Sequence, residues 1–437
     1  MSHQHWREAW RNLAQPATLP MLFFGFGSAM PFVLVGHQAM ALWLKHSGYA
    51  LAAITVLTGG AGAAYMFKFA WAPLVDRVAL PVLSRLGQRR SWLVLAQACV
   101  LAGFVAMALV TPAHETAFVA CAVFTAFAGA TQDIVLAAYR IEIAPVDAQA
   151  GLAAAVILGY RFGMMVGAGL ALVMADHMSW SWVYVVMAGC MVIPVVVTLL
   201  VREPQVLHER ATHWAMNLFD GIVMPFVDFF RRYKWRLGIG LLAFLLLFKI
   251  SDQALAGGLI GPFYRAVGFT KTQIGVVSGF YGIWIGIAGA FVGGIAVARF
   301  GIRRCLWAGM ILAAVSNLLY VMLACHHGSL TAFYLTLTGE NLSGGFLGTV
   351  AVAYLSALVS QRYTATQYAL FDSLINVPAR LLGMASGSLV LWFSAAPEAT
   401  MAGYADYFTL TTVAIVPALV LFVWLGPRVR LGGDPAK

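Results

Sequence analysis

The chain has 437 residues, 61% of them hydrophobic and only 10% charged, with a formal net charge of +10. Ordinary soluble domains carry roughly 25% charged residues, so a water-soluble globule is excluded. The positive charge does not mark a nucleic-acid binder either, because it is confined to short connections between apolar runs. Those runs recur at about 20 residues, the length of a membrane-crossing helix. Alternating strand patterns are absent, and helices are the other structure that satisfies its own backbone in lipid. The expected class is an all-α polytopic membrane protein, a monomer with the lipid bilayer as its surroundings.

Residues 1–18 read as a cytoplasmic interfacial segment anchored by Trp6 and Trp10. Spans one to six are predicted at 19–45, 51–75, 91–111, 116–140, 151–176 and 180–201, forming a first bundle over 19–201. The first span runs straight on into the bundle, so no cleavable signal peptide is expected. Residues 202–236 are the longest hydrophilic connection, a cytoplasmic linker. Its Trp214, Phe219, Phe226, Phe229 and Phe230 would be costly to leave in water, which predicts an interfacial helix. Spans seven to twelve follow at 237–263, 272–298, 304–325, 329–359, 365–394 and 403–426, a second bundle over 237–426, with a tail at 427–437. Arginines and lysines crowd into alternate connections, whereas the opposite side holds only Lys45, Arg265 and Lys271. That asymmetry places both termini in the cytoplasm. The five cysteines lack CxxC spacing and read as packing residues.

The two bundles repeat each other. WLKHSGYALAAITVLTG, after span one, aligns with FYRAVGFTKTQIGVVSG, after span seven, pairing Lys45 with Arg265 and Gly59 with Gly279. At nearly the same offset Arg77 pairs with Arg299, and Arg161 in span five with Arg380 in span eleven. Two six-helix halves in parallel repeat, with a substrate site between them near the midplane, is a transporter architecture.

The repeated basic loops resemble the signature loop of the major facilitator superfamily. The copy from Gly294 to Arg304 keeps the spacing but has Ala298 where the acid belongs, while the first copy keeps Asp76-Arg77 and spreads its later arginines across an insert. FGFGSAMPF, YMFKFAWAPLVDR, ATQDIVLAAYR, LGYRFGMMVGAG, LFKISDQAL, GENLSGGFLGT and TATQYAL, in that order, resemble the AmpG-type muropeptide permeases of that superfamily. The resemblance implies a major facilitator fold of about twelve transmembrane helices in two six-helix halves. It implies import of N-acetylglucosaminyl-anhydro-N-acetylmuramyl peptides from periplasm to cytoplasm across a bacterial inner membrane. The proton gradient would be the energy source, without a bound cofactor. The chain departs from many relatives at Ala137, where they carry a second acid, and at Asp372, where they carry a small residue. Related branches carry other cargo, so import of a siderophore or another amphiphilic anion is the alternative.

Ionisable groups inside spans cost roughly 2.5–3.5 kcal/mol each on insertion scales, so each needs a partner or a task. Lys249 and Asp252 are three residues apart on one helical face of span seven, at a depth Glu340 of span ten could share. Either Lys249 meets a substrate carboxylate while Asp252 or Glu340 takes the coupling proton, or the three form a structural ion-pair cluster. Asp133, beside Gln132 in span four, and Arg161 in span five are the counterpart. Either protonation of Asp133 frees Arg161 for an anionic ligand, or the two form a permanent bridge. Lys68 snorkels to the cytoplasmic interface or pairs in a gate. Tyr65, Tyr160, Trp284 and Asn341 are the candidates for sugar-peptide contacts. Asp76, Arg77, Arg89, Arg90 and Arg299 are expected to gate the cytoplasmic side. No GxxxxGK[ST] loop occurs, so ATP is not the expected energy source. No compact nucleophile set or metal cluster points to an enzyme.

Overall fold

The structure, a computed structural model, describes residues 18–68, 71, 75, 80–81, 83–143, 149–204, 214–253, 258–358, 364–426 and 428–429. Every regular element among them is helical. Nine of the described helices are long and apolar enough to cross a membrane. The other three expected spans depart from a plain apolar rod. Span two is the shorter Leu51–Phe67. Span seven is interrupted, with helices ending at Leu247, running over Ile250–Gln253 and resuming at Ile260–Val267. Span ten, Leu330–Leu358, is a full-length helix whose glycines, Glu340 and Asn341 lower its hydropathy.

Contacts divide the chain into two compact units. The first is Met1–Leu207 with Ile260–Arg265 and Phe269–Phe280, and the second is His208–Leu259 with Ala266–Gly268 and Tyr281–Lys437. In the first unit, spans one and five cross backbone to backbone. A Cβ added at Gly159 would lie 1.8 Å from the Leu22 carbonyl oxygen, and one at Gly163 would lie 2.5 Å from that of Phe26. The glycines are four residues apart, the small-xxx-small spacing that lets membrane helices approach closely.

Span one breaks at His37, whose backbone is extended (φ −135°, ψ −151°). The break leaves the Leu34 carbonyl for the buried Tyr184 hydroxyl, which donates to it over 2.7 Å. Trp43 then seals that end of the unit, stacked on Trp180 at 6.1 Å and edge-on to Phe118 at 5.0 Å.

Spans five and eight meet in the same unit through facing π-helical turns, Met165–Leu170 and Gly275–Tyr281. A Cβ on Gly279 would lie 2.4 Å from the Gly169 Cα, so only glycine fits there. The helix ends beside this contact cap each other. The Asp176 carboxylate accepts from the Thr272 amide at 2.6 Å, and the Lys271 ammonium donates to the Ala175 carbonyl at 2.8 Å while lying over the Trp180 ring.

In the second unit, the helix Trp214–Leu247 kinks at Lys234, where φ is +58°. The part before the kink is not merely surface-bound, because Phe229 is buried in the second unit's core against Phe371. Arg232 and Tyr233 both donate to the Leu358 carbonyl at the end of span ten. Burial raises the pKa of the Tyr233 hydroxyl, and the neighbouring Arg232 charge opposes that rise. The interrupted span seven is tied down by polar contacts. Ser251 donates to the Thr411 carbonyl at 2.6 Å, and the Asn317 amide donates to both the Ser251 carbonyl and the Thr411 hydroxyl at 3.0 Å. These bonds satisfy backbone groups that a broken helix would otherwise leave open in an apolar setting.

Candidate substrate and proton site

Span four supplies the central feature of the first unit. Asp133, Leu136, Ala137 and Arg140 fall on one helical stripe, and together with Ser28 of span one and Val156 of span five they line a cavity of about 240 Å³. The Ser28 hydroxyl donates to the Asp133 carboxylate. Lys68 is near enough for its charge to act on the same group. The expected Asp133–Arg161 pair is therefore not what is found. The residue of span five that lines the cavity is Val156, and Arg161 is not part of that lining. Among the described residues no carboxylate pairs with Arg161.

Phe32 of span one collects the aromatic candidates. Tyr65 of span two lies edge-on to it at 5.4 Å and Tyr160 of span five is tilted against it at 6.3 Å. Gln132 is fully buried on another side of span four, its amide nitrogen beside Gly27, which itself packs on Pro194. Neither amide atom of Gln132 has a hydrogen-bond partner among the described residues.

The other candidates belong to the second unit. Lys249 sits in the turn between Leu247 and Ile250, so the one-face relation to Asp252 expected of an unbroken helix does not apply, and the Asp252 side chain lies outside the described residues. Glu340 accepts a hydrogen bond from the Tyr320 hydroxyl. The Asn341 amide donates to the Leu337 carbonyl at 2.9 Å, against Gly282 of span eight. Trp284 is 56% exposed.

Of the gating candidates, Asp76 and Arg77 lie outside the described residues. Arg299 is exposed, its guanidinium over the Phe300 ring. Arg89 and Arg90 begin span three and brace the first unit internally. Arg89 holds Glu142 of span four through two hydrogen bonds of 2.9 and 2.6 Å. The Glu203 carboxylate, just past span six, accepts from the Arg89 and Arg90 amides at 2.7 and 3.0 Å. The Arg90 side chain donates to the last carbonyls of span six, Thr198 and Leu199. An anion on a helix N-terminus and a cation on a C-terminus both match the helix dipoles.

Sequence reasoning missed Ser28, Phe32 and Arg140. Ser28 and Phe32 stand inside FGFGSAMPF and Arg140 inside ATQDIVLAAYR. The signal that would have found Arg140 is its i+7 spacing from Asp133, which keeps the two on one stripe.

The arrangement offers an acid in an accessible cavity with Lys68 and Arg140 near it. The sequence model of the Major Facilitator Superfamily matches residues 20–256. An Escherichia coli (strain K12) protein named "Anhydromuropeptide permease" is 33% identical, the match covering 94% of this chain and 80% of that one. A Rickettsia conorii protein named "Putative transporter AmpG 4" is 30% identical over 94% of this chain and 97% of its own. Among solved structures, the nucleoside transporter NupG superposes with a TM-score of 0.68 at 14% identity, over 95% of this chain and 99% of that one. A D-xylose-proton symporter gives 0.66 at 14% identity, over 93% and 95%. The chain is a multi-pass membrane transporter, not an enzyme, and it belongs to the AmpG-type muropeptide permease family of the major facilitator superfamily.

Proposed function

We propose that the protein imports anhydromuropeptides into the cytoplasm across a bacterial inner membrane, with both termini cytoplasmic, drawing on the proton gradient and no bound cofactor. The cargo assignment rests on the likeness to the Escherichia coli "Anhydromuropeptide permease". The coupling assignment rests on Asp133, a carboxylate of span four held by a hydroxyl and lining a cavity. A carboxylate inside a membrane span is costly unless it is paired or neutralised. A proton arriving through the cavity neutralises Asp133 and weakens its hold on Lys68. Release of the proton restores the attraction. Two states of one charge pair, each favouring a different arrangement of spans one, two and four, are what coupling requires. The aromatic group of Phe32, Tyr65 and Tyr160 offers flat apolar faces on which sugar rings can lie.

The test is uptake of labelled anhydromuropeptide into proteoliposomes under an imposed pH gradient. Wild-type protein is expected to concentrate the label, and Asp133→Asn is expected to lose that response while still exchanging label across a preloaded vesicle. Uptake no greater than in protein-free vesicles, or displacement by an iron chelate better than by muropeptide, would reject the cargo. An undiminished gradient response in Asp133→Asn would reject the coupling residue.

A further inference from the structure

The kink at Lys234 builds a cationic corner on the second unit that takes no part in the coupling or cargo sites. The chain folds back on itself there. Phe230 packs on Trp235 at 4.7 Å, and a Cβ added at Gly238 would lie 2.7 Å from the Phe230 ring. Left outside this packing are Arg231, Lys234 and Arg236, all exposed, with Trp235 67% exposed among them. The nearest acid along the chain, Asp228, is bridged to Arg232. Among the described residues no carboxylate pairs with the other three cations.

Span twelve brings a further charge to the corner. It runs antiparallel to span seven, because Phe244 packs on Phe422 at 5.6 Å while a Cβ on Gly240 would lie 2.6 Å from the Trp424 ring. Arg236 is one turn before Gly240 and Arg428 one turn after Trp424, so both stand at the same end of two neighbouring helices. The Arg303 side chain donates to the Val429 carbonyl and so fixes the turn that carries Arg428. The Arg428 guanidinium donates to the Trp424 carbonyl and lies 5.3 Å from the centre of that ring. Both partners are neutral, so its charge is not cancelled, and charge is what the corner presents. Immediately inward, Ile239 of span seven and Val420 and Val423 of span twelve are exposed apolar residues.

Cations, then exposed tryptophan, then apolar surface is the order in which a bilayer offers phosphate, interface and acyl chain. A soluble anion would use the charges alone and gain nothing from Trp235 or from the apolar surface beside it. We infer that this corner binds the headgroup of an anionic phospholipid. Arg231, Lys234 and Arg236 meet the phosphate, Arg428 adds charge from span twelve, and the acyl chains lie along the two spans. The lipid then ties the start of span seven to the last turn of span twelve, whatever cargo the protein carries.

The experiment titrates full-length protein in detergent with phosphatidylglycerol, with phosphatidylcholine of the same acyl chains, and with inorganic phosphate. The rise in unfolding temperature is the readout, since a ligand of the folded state stabilises it. Each Lys or Arg beside an anionic lipid is worth about fivefold in affinity. Wild-type protein is therefore expected to respond to phosphatidylglycerol at concentrations lower than phosphatidylcholine by about tenfold or more. In the double variant Arg236→Gln with Arg428→Gln that ratio is expected to fall towards one. Arg85→Gln, which removes an exposed arginine from the first unit, is expected to keep it. Equal response to the two lipids by wild-type protein overturns the inference without any variant being needed. Inorganic phosphate that reproduces the phosphatidylglycerol response overturns it too, because the corner would then be a soluble-anion site. So does a ratio kept in the double variant, or one lost as fully in Arg85→Gln.

Discussion

The brace at the start of span three makes a measurable prediction about what the arginines of the signature loop do. Arg89 is 5% exposed at its side chain and Glu142 22%, with two hydrogen bonds between them. Removing one partner of a fully buried pair costs roughly 3–5 kcal/mol, because the other charge is left without compensation. An exposed pair is worth about 0–1 kcal/mol. Glu142 retains some contact with its surroundings, which places Arg89→Met at about 2 kcal/mol. In a domain of this size that is a fall of roughly 5 °C in apparent unfolding temperature. The double variant Arg89→Met with Glu142→Leu removes both charges and fills the site with apolar volume, so it should be more stable than Arg89→Met alone. Thermal unfolding in detergent, followed by tryptophan fluorescence, reads all members of the cycle. A single variant as stable as wild type, or a double variant that loses the sum of the two singles, refutes the brace.

Three other outcomes follow from contacts described above. Gly279→Val places side-chain atoms where the Cβ alone would lie 2.4 Å from the Gly169 Cα, and should destabilise by about 1–3 kcal/mol, whereas Gly294→Ala, with nothing within 4 Å, should be tolerated. The same unfolding assay compares them. Asp176→Ala removes the acceptor of the Thr272 amide and should cost about 1 kcal/mol, as loss of a helix cap does; Asp176→Asn, which keeps an oxygen acceptor, should cost less. Glu340→Gln keeps an acceptor for the Tyr320 hydroxyl but cannot carry a proton, so it should lower gradient-driven uptake more than exchange; equal effects on both would remove Glu340 from coupling.

Much of the architecture was legible because hydropathy reports burial in lipid directly. An apolar run of the right length has few alternatives to crossing the membrane. The interruptions were less legible. His37 breaks span one and the Lys249 turn breaks span seven, yet neither position carries a proline. In each case an open backbone carbonyl is taken up by a distant side chain, that of Leu34 by Tyr184 and that of Ser251 by Asn317. A local reading cannot see a partner more than 60 residues away.

The choice of partner for Asp133 shows the same limit at the candidate site. Composition tells that an intramembrane carboxylate needs company, and Arg161 was the nearest cation in the neighbouring span along the chain. Which cation lies near is decided by helix rotation and axial offset. A 100° turn per residue separates the Asp133 stripe from the Gln132 side, and Gly159 and Gly163 fix how far span five slides against span one. At that contact Val156 lines the cavity of the acid and Arg161 does not. A substitution that enlarges Gly163 therefore changes more than packing. It moves span five against span one and so disturbs the Asp133 cavity that Ser28 and Val156 line, so gradient-driven uptake should fall in Gly163→Val even though the residue touches neither proton nor cargo.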